Sequence, residues 1–127
     1  MARLTLRVDL GPDQAIGPGK IRLLEAVRDT GSISEAGRSL EMSYRRAWLL
    51  VADLNRCFRE PVVITQLGGR RGGGAALTAF GLRLVAHYRG IEAEAHAATA
   101  KRLRQLEAAL QAPRGASANA KRRIGRR

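Results

Sequence analysis

A chain of 127 residues with 45% hydrophobic content is long enough for one domain with a modest core, and too apolar to stay unfolded. It carries 23 Lys and Arg against 11 Asp and Glu, a formal net charge of +12 at pH 7. That balance favours a polyanionic partner, and in the absence of an amphipathic anchor or lipidation motif it points to nucleic acid ahead of an anionic membrane. No apolar run approaches the ~18–20 residues of a membrane span. The N-terminus lacks the long apolar core of a signal peptide. The one cysteine, Cys57, cannot form an intrachain disulfide. A reducing, cytoplasmic location is expected.

Leu4, Leu6, Val8 and Leu10 alternate with Arg3, Thr5, Arg7 and Asp9, the pattern of a short half-buried strand over residues 3–10. Gly11-Pro12-Asp13 is turn chemistry, and Gly17-Pro18-Gly19 marks a second break. A helix fits residues 20–30, with Ile21, Leu24 and Val27 inward, Leu23 widening the stripe and Gly31 as the stop.

Ser32 and Glu35 have the spacing of a capping box at the start of a short helix. Ile33, Ala36, Gly37 and Leu40 share one of its faces. Glu41-Met42 breaks the pattern. Ser43 then caps a second helix reaching about Phe58, along which Tyr44, Ala47, Trp48, Val51, Leu54 and Phe58 recur at three- and four-residue steps. On this spacing Tyr44, Ala47, Trp48 and Val51 face the core, and Cys57 is a small buried hydrophobe. A short helix, a tight turn and a longer helix with arginines near its start outline a helix-turn-helix.

Glu60-Pro61 ends the helix, and Val62 to Thr65 is a β-branched strand. A glycine-rich loop over 67–75 carries Arg70 and Arg71, and Ala76-Leu77-Thr78 returns as a second short strand. A hairpin in this place is the wing of a winged helix. Thr78 caps a long helix over 79–111, with Leu82, Val85, Ala86, Ile91, Ala95, Ala98, Leu103, Leu106 and Leu110 as its apolar positions. Gly81 and Gly90 weaken it by about 1 kcal/mol each relative to alanine. One small core cannot cover so long a stripe, so pairing with a second copy is expected. Residues 113–127 hold Arg114, Lys121, Arg122, Arg123, Arg126 and Arg127 and no acidic residue, the composition of a disordered basic tail. The expected fold class is mainly α with a small β-hairpin: a winged helix-turn-helix over 1–112, ending in a long C-terminal dimerisation helix, and a tail over 113–127.

The second helix of the pair is the candidate recognition helix. Ser43, Arg45, Arg46 and Leu49 lie off its core face. An arginine near the start of such a helix can take guanine O6 and N7 in the major groove, and spacing leaves open which of Arg45 and Arg46 reads a base and which a phosphate. Ser43 at the helix N-terminus can donate to phosphate. In the wing, Arg70 and Arg71 supply charge for phosphates or the minor groove, and Gly72 and Gly73 permit close approach to the backbone. Ser32 and Tyr44 complete the candidate DNA-binding set. Trp48 is read as core rather than as a base-stacking residue.

Other chemistries lack support. The glycine loop has no Lys-Ser or Lys-Thr opening a helix, as a nucleotide loop requires. His87 and His96 lack the tight ligand spacing of zinc sites. Glu92 and Glu94 read as solvated. No catalytic set stands out, so neither an enzyme nor a cofactor is expected.

GSISEAGRSLEMSYRRAW followed by VVITQLGGRRGGGAALTAFGLRLVAHY resembles the N-terminal DNA-binding domain of ModE-type molybdate-responsive transcriptional regulators over roughly residues 4–100. Ser43-Tyr44 with Ala47-Trp48, and the glycine-rich wing closing in Ala76-Leu77-Thr78 with Gly81 three residues on, are its most specific parts. The Gly-Ser-Ile-Ser start is shared with LysR-type regulators. The resemblance implies a winged helix that forms a homodimer through its first and last helices and binds double-stranded DNA at an operator with two-fold character. It also implies molybdenum-related gene control. The family's molybdate-binding domains have no counterpart after the long helix, so molybdate binding within this chain is not expected. Two other readings stand beside a sequence-specific regulator: a sequence-indifferent architectural DNA-binding protein driven by net charge and tail, and an interaction module whose long helix joins a separate sensor protein.

Overall fold

The structure, a computed structural model, describes residues 1–66 and 74–111. Two compact units form, one over Leu4–Ala95 and one from Met1–Arg3 with the described residues from His96 onward. The first begins with β1 (Val8–Asp9) and β2 (Ala15–Ile16), antiparallel with Val8 opposite Ile16. Gln14 closes the turn between them, its carbonyl accepting from Leu10 N–H at 2.8 Å. The strand expected over 3–10 is therefore reduced to two residues: Leu4 and Leu6 are half-buried outside any ladder, and Leu10 is exposed. Its partner strand carries no alternation of its own.

The helices α1 (Pro18–Thr30), α2 (Ile33–Ser39) and α3 (Tyr44–Cys57) follow, then the antiparallel pair β3 (Val63–Gln66) and β4 (Gly74–Leu77), then α4 (Ala79–Ala108). This is the mainly α winged helix-turn-helix with a long last helix that the sequence predicts. The stop at Gly31 and the caps at Ser32 and Ser43 act as expected, but the capping box is only half formed, because Ser32 N–H donates to Thr30 Oγ1 at 3.3 Å. Gly31 adopts φ 73°, the left-handed value glycine tolerates, and its N–H bonds back to Val27 O. Ser32 Oγ accepts from Glu35 N–H at 3.1 Å, and Ser43 Oγ from Arg46 N–H at 3.0 Å. Glu41 turns the chain between α2 and α3 at φ 59°.

Ile21, Leu23, Leu24 and Val27 of α1 are fully buried. Around them pack Ile33 and Ala36 of α2, Ala47, Val51 and Leu54 of α3, Val62 and Val63 at the wing base, and Leu84, Val85 and Tyr88 of α4. Leu23 lies as deep as its three neighbours. The register of α4 differs from the apolar count: Leu84 and Tyr88 point inward, while Leu82 and Ala86 are exposed. The cause is Gly81, whose missing side chain lets the helix start press against the Val62 carbonyl. Gly81 thus serves packing rather than merely weakening the helix. Thr78 caps it, accepting from Gly81 N–H at 2.9 Å and donating to Pro61 O at 2.7 Å.

Tyr88 donates its hydroxyl to Leu6 O at 2.6 Å, and burial raises its pKa. Arg89 forks onto Glu25 at 2.8 and 2.9 Å and reaches Glu92 at 2.6 Å. Glu92 is therefore an ion-pair member and not simply solvated. The Arg89 hydrogen bonds hold the Glu25 carboxyl below the usual carboxylate range, and Glu25 with Glu92 raises the Arg89 pKa in turn.

In the second unit the N-terminal ammonium lies 3.3 Å from Glu107, and Leu103 is half-buried. Leu106 and Leu110 are 68% and 73% exposed.

Candidate nucleic-acid interface

The geometry of the helix pair follows from two small residues. Gly37 of α2 lies so close to Ala47 of α3 that a Cβ on it would stand 2.9 Å from the Ala47 methyl. That approach centres the buried stripe of α3 on Ala47, Val51 and Leu54. At 100° per residue the opposite stripe is Arg45, Leu49, Ala52 and Arg56. Arg45, Leu49 and Arg56 are exposed and Ala52 is half-buried.

Tyr44 and Trp48 do not face the core as the spacing predicts. They are 59% and 37% exposed, on the flank of α3, with ring centroids 6.1 Å apart in an edge-to-face contact. Three- and four-residue steps fit positions 44, 47, 48 and 51 equally well. The close Gly37–Ala47 contact, which no periodicity reports, rotates the helix and turns the aromatic pair out. Leu49 is exposed as expected, at 56%. Cys57 is half-buried, not buried.

Arg46 occupies the other flank. It lines an open cavity of about 360 Å³ with Arg7, Lys20, Met42 and Leu50, beside the start of α1 at Gly17–Lys20. Asp53, the one acidic residue of α3, is occupied: it accepts from Lys20 Nζ at 2.8 Å and lies 3.4 Å from Arg56. The Lys20 hydrogen bond lowers its pKa. The outward face of α3 therefore presents guanidinium and apolar groups with its acid neutralised.

The wing base is fixed to α3 by Asn55. Its Oδ1 accepts from Val62 and Val63 N–H at 2.7 and 3.1 Å, and its Nδ2 donates to Val63 O at 3.0 Å. On the other strand, Ala75 N–H donates to Gly31 O at 2.9 Å, one residue before the Ser32 cap. Hairpin, α2 start and α3 are thus tied together by the Asn55 side-chain amide and by the Ala75–Gly31 backbone bond. Asn55 escaped the sequence reading. The available signal was an asparagine inside a helix, where it is unfavourable unless its amide is engaged. The Lys20–Asp53 pair spans 33 positions and carries no local signature.

Among the candidate residues, Ser43, Tyr44, Arg45, Arg46 and Leu49 come together at the first turns of α3. Ser32 is half-buried at the α2 start, its hydroxyl 3.5 Å from that of Ser34. Arg70, Arg71, Gly72 and Gly73, and the basic tail, lie outside the described residues. No group of three His, Cys, Asp or Glu that could hold a metal is present among the described residues.

These elements define a winged helix-turn-helix with an exposed, cationic and apolar α3 face. Comparison with known proteins agrees. The chain is 43% identical over 94 residues to the "Molybdenum transport protein ModE" of Azotobacter vinelandii, covering 74% of this chain and 34% of that protein. It is 45% identical over 78 residues to the "Molybdenum-pterin-binding protein MopB" of Rhodobacter capsulatus, covering 61% and 29%. It is 33% identical over 87 residues to the "DNA-binding transcriptional dual regulator ModE" of Escherichia coli K12, covering 68% and 33%. No family model matches. The chain is ModE-like over roughly three quarters of its length, and spans about a third of the length of these relatives.

Proposed function

We propose that this chain is a ModE-type, sequence-specific DNA-binding regulator that acts as a homodimer and is not an enzyme. One observation carries the reading: the outward stripe of α3 offers Arg45, Leu49 and Arg56 to solvent while Lys20 neutralises its one acid. In this reading α3 enters the major groove. Arg45, central on the stripe, takes a base edge. Arg46, on the flank with Arg7 and Lys20, meets phosphates, and the Ser43 hydroxyl, whose oxygen already accepts from Arg46 N–H, has its proton free to donate to one. Arg70, Arg71, Gly72 and Gly73 grip the flanking backbone, and Ser32 lies toward it at the α2 start. Residues 1–112 form the DNA-binding part, and the basic residues of 113–127 add affinity without sequence choice.

Pairing of two copies is assigned chiefly to α4. The described large exposed hydrophobics include Leu82, Ile91 and Leu106 on α4 and none on α1. The relatives' names, which speak of molybdenum transport and molybdenum-pterin binding, support a role in molybdenum-related gene control, and a cytoplasmic location goes with that reading. No helix among the described residues is long and apolar enough to cross a membrane.

The test is anisotropy titration of labelled duplexes with the whole chain and with Arg45→Ala and Arg46→Ala. The expected result is that Arg45→Ala weakens a preferred duplex by at least about tenfold while leaving random duplex nearly unchanged, and that Arg46→Ala weakens both. Equal losses on both duplexes for both variants would remove base reading and leave a sequence-indifferent binder.

A further inference from the structure

Three large apolar side chains, Tyr44, Trp48 and Leu49, stand 59%, 37% and 56% exposed within two turns of α3 in the fold of the described residues. They do not form a uniform apolar face. On the outward stripe Arg45 precedes Leu49 and Arg56 follows it, with Tyr44 and Trp48 on one flank and Arg46 on the other. A purely phosphate-gripping helix has no use for exposed leucine and tryptophan, and an apolar protein partner would leave the flanking guanidiniums desolvated without acceptors. An apolar spot bracketed by arginines matches one surface well: the major-groove edge of a duplex. There the C5-methyl of thymine is the apolar group among base donors and acceptors, and phosphates lie to either side.

We propose that Leu49 and Trp48 read thymine methyl groups, resting on the DNA-binding reading above. Leu49 is central on the outward stripe, four residues after Arg45, so the two reach neighbouring base pairs. The half-site then couples a guanine taken by Arg45 to a thymine one or two steps away. Trp48 flanks Leu49. The edge-to-face contact with Tyr44 holds its indole in place, so the ring meets the methyl without having to be ordered on binding. Tyr44 acts here as a positioning residue.

The experiment replaces each thymine of the preferred duplex by deoxyuridine, one position at a time. The exchange deletes the methyl and leaves every hydrogen-bonding group intact. Affinity of the unaltered whole chain is read by anisotropy, alongside random duplex. The expected result is a loss of about fourfold per contacted methyl, confined to one or two positions in each half-site. Leu49→Ala, at an exposed position, should lose discrimination between thymine and uracil at one of these positions and still prefer the site over random duplex. Trp48→Phe, which keeps an aromatic ring on the half-covered flank, should reduce discrimination at the adjacent one. A preferred duplex that is indifferent to uracil at every position overturns the inference and leaves the regulator reading standing. Discrimination undiminished in both variants assigns the methyl contact elsewhere and overturns it too. The absence of any preferred duplex removes both readings together.

Discussion

A glycine inside a helix ordinarily costs about 1 kcal/mol relative to alanine, yet a Cβ at position 81 would run into the Val62 carbonyl oxygen. Propensity and packing therefore predict opposite signs. Because the obstacle is backbone held by Thr78 N–H at 3.0 Å, it cannot step aside. Gly81→Ala should destabilise the fold by about 1–3 kcal/mol. Gly90→Ala, with nothing beyond its own helical turn within 4 Å of the added carbon, should be neutral or stabilise by up to about 1 kcal/mol. Urea unfolding midpoints of the two variants check this, and a stabilised Gly81→Ala would contradict the packing.

Glu25 supplies a pH test at the same scale. Its folded pKa is depressed, mainly by the Arg89 hydrogen bonds. A carboxylate shifted this way contributes stability that is fully present above its unfolded pKa and is lost as pH falls through the folded one. Glu25→Gln should therefore be less stable than the parent at pH 7 and converge with it well below the ordinary glutamate range near ~4.3. A constant gap across that window would show that the pair does not set the pH dependence. The caps at Ser32 and Ser43 and the stop at Gly31 were readable because each acts within four residues. Glu25 pairs with a residue 64 positions away, and Gly81 and Asn55 act on the wing base, so local spacing does not report these contacts.

At the scale of elements, the helices and the wing were legible in order and type, while β2 and the rotation of α3 and α4 were not. Every helix and the wing hairpin could be placed from caps, breaks and three- to four-residue recurrence. The facing of α3 and α4 could not, because each is set by one close contact, Gly37 with Ala47 and Gly81 with Val62. In α3 this rotation is what puts Trp48 in solvent beside Leu49. In α4 it leaves Leu82 and Ile91 exposed, and Leu106 is exposed farther along. If α4 pairs with a second copy, a charge in place of Leu106 opposes burial of an apolar side chain worth about 1.5–3 kcal/mol. Leu106→Lys should raise the dimer dissociation constant at least about tenfold, seen by light scattering across a concentration series. A parent chain that is monomeric throughout would contradict pairing by α4.

For the whole molecule, net charge and face chemistry make separable contributions. A +12 chain is attracted to any duplex, with an affinity that falls steeply with salt. In the proposed reading, the α3 face adds a difference between duplexes that salt does not erase. The central claim, that α3 reads sequence as part of a two-fold assembly, is tested most directly by selecting from a random duplex pool with the whole chain at ~150 mM salt, where general attraction is screened. The account predicts enrichment of an inverted repeat whose half-sites lie about one turn, ~34 Å, apart, with guanine and thymine close together in each half. Bulk binding with no enriched sequence would contradict it.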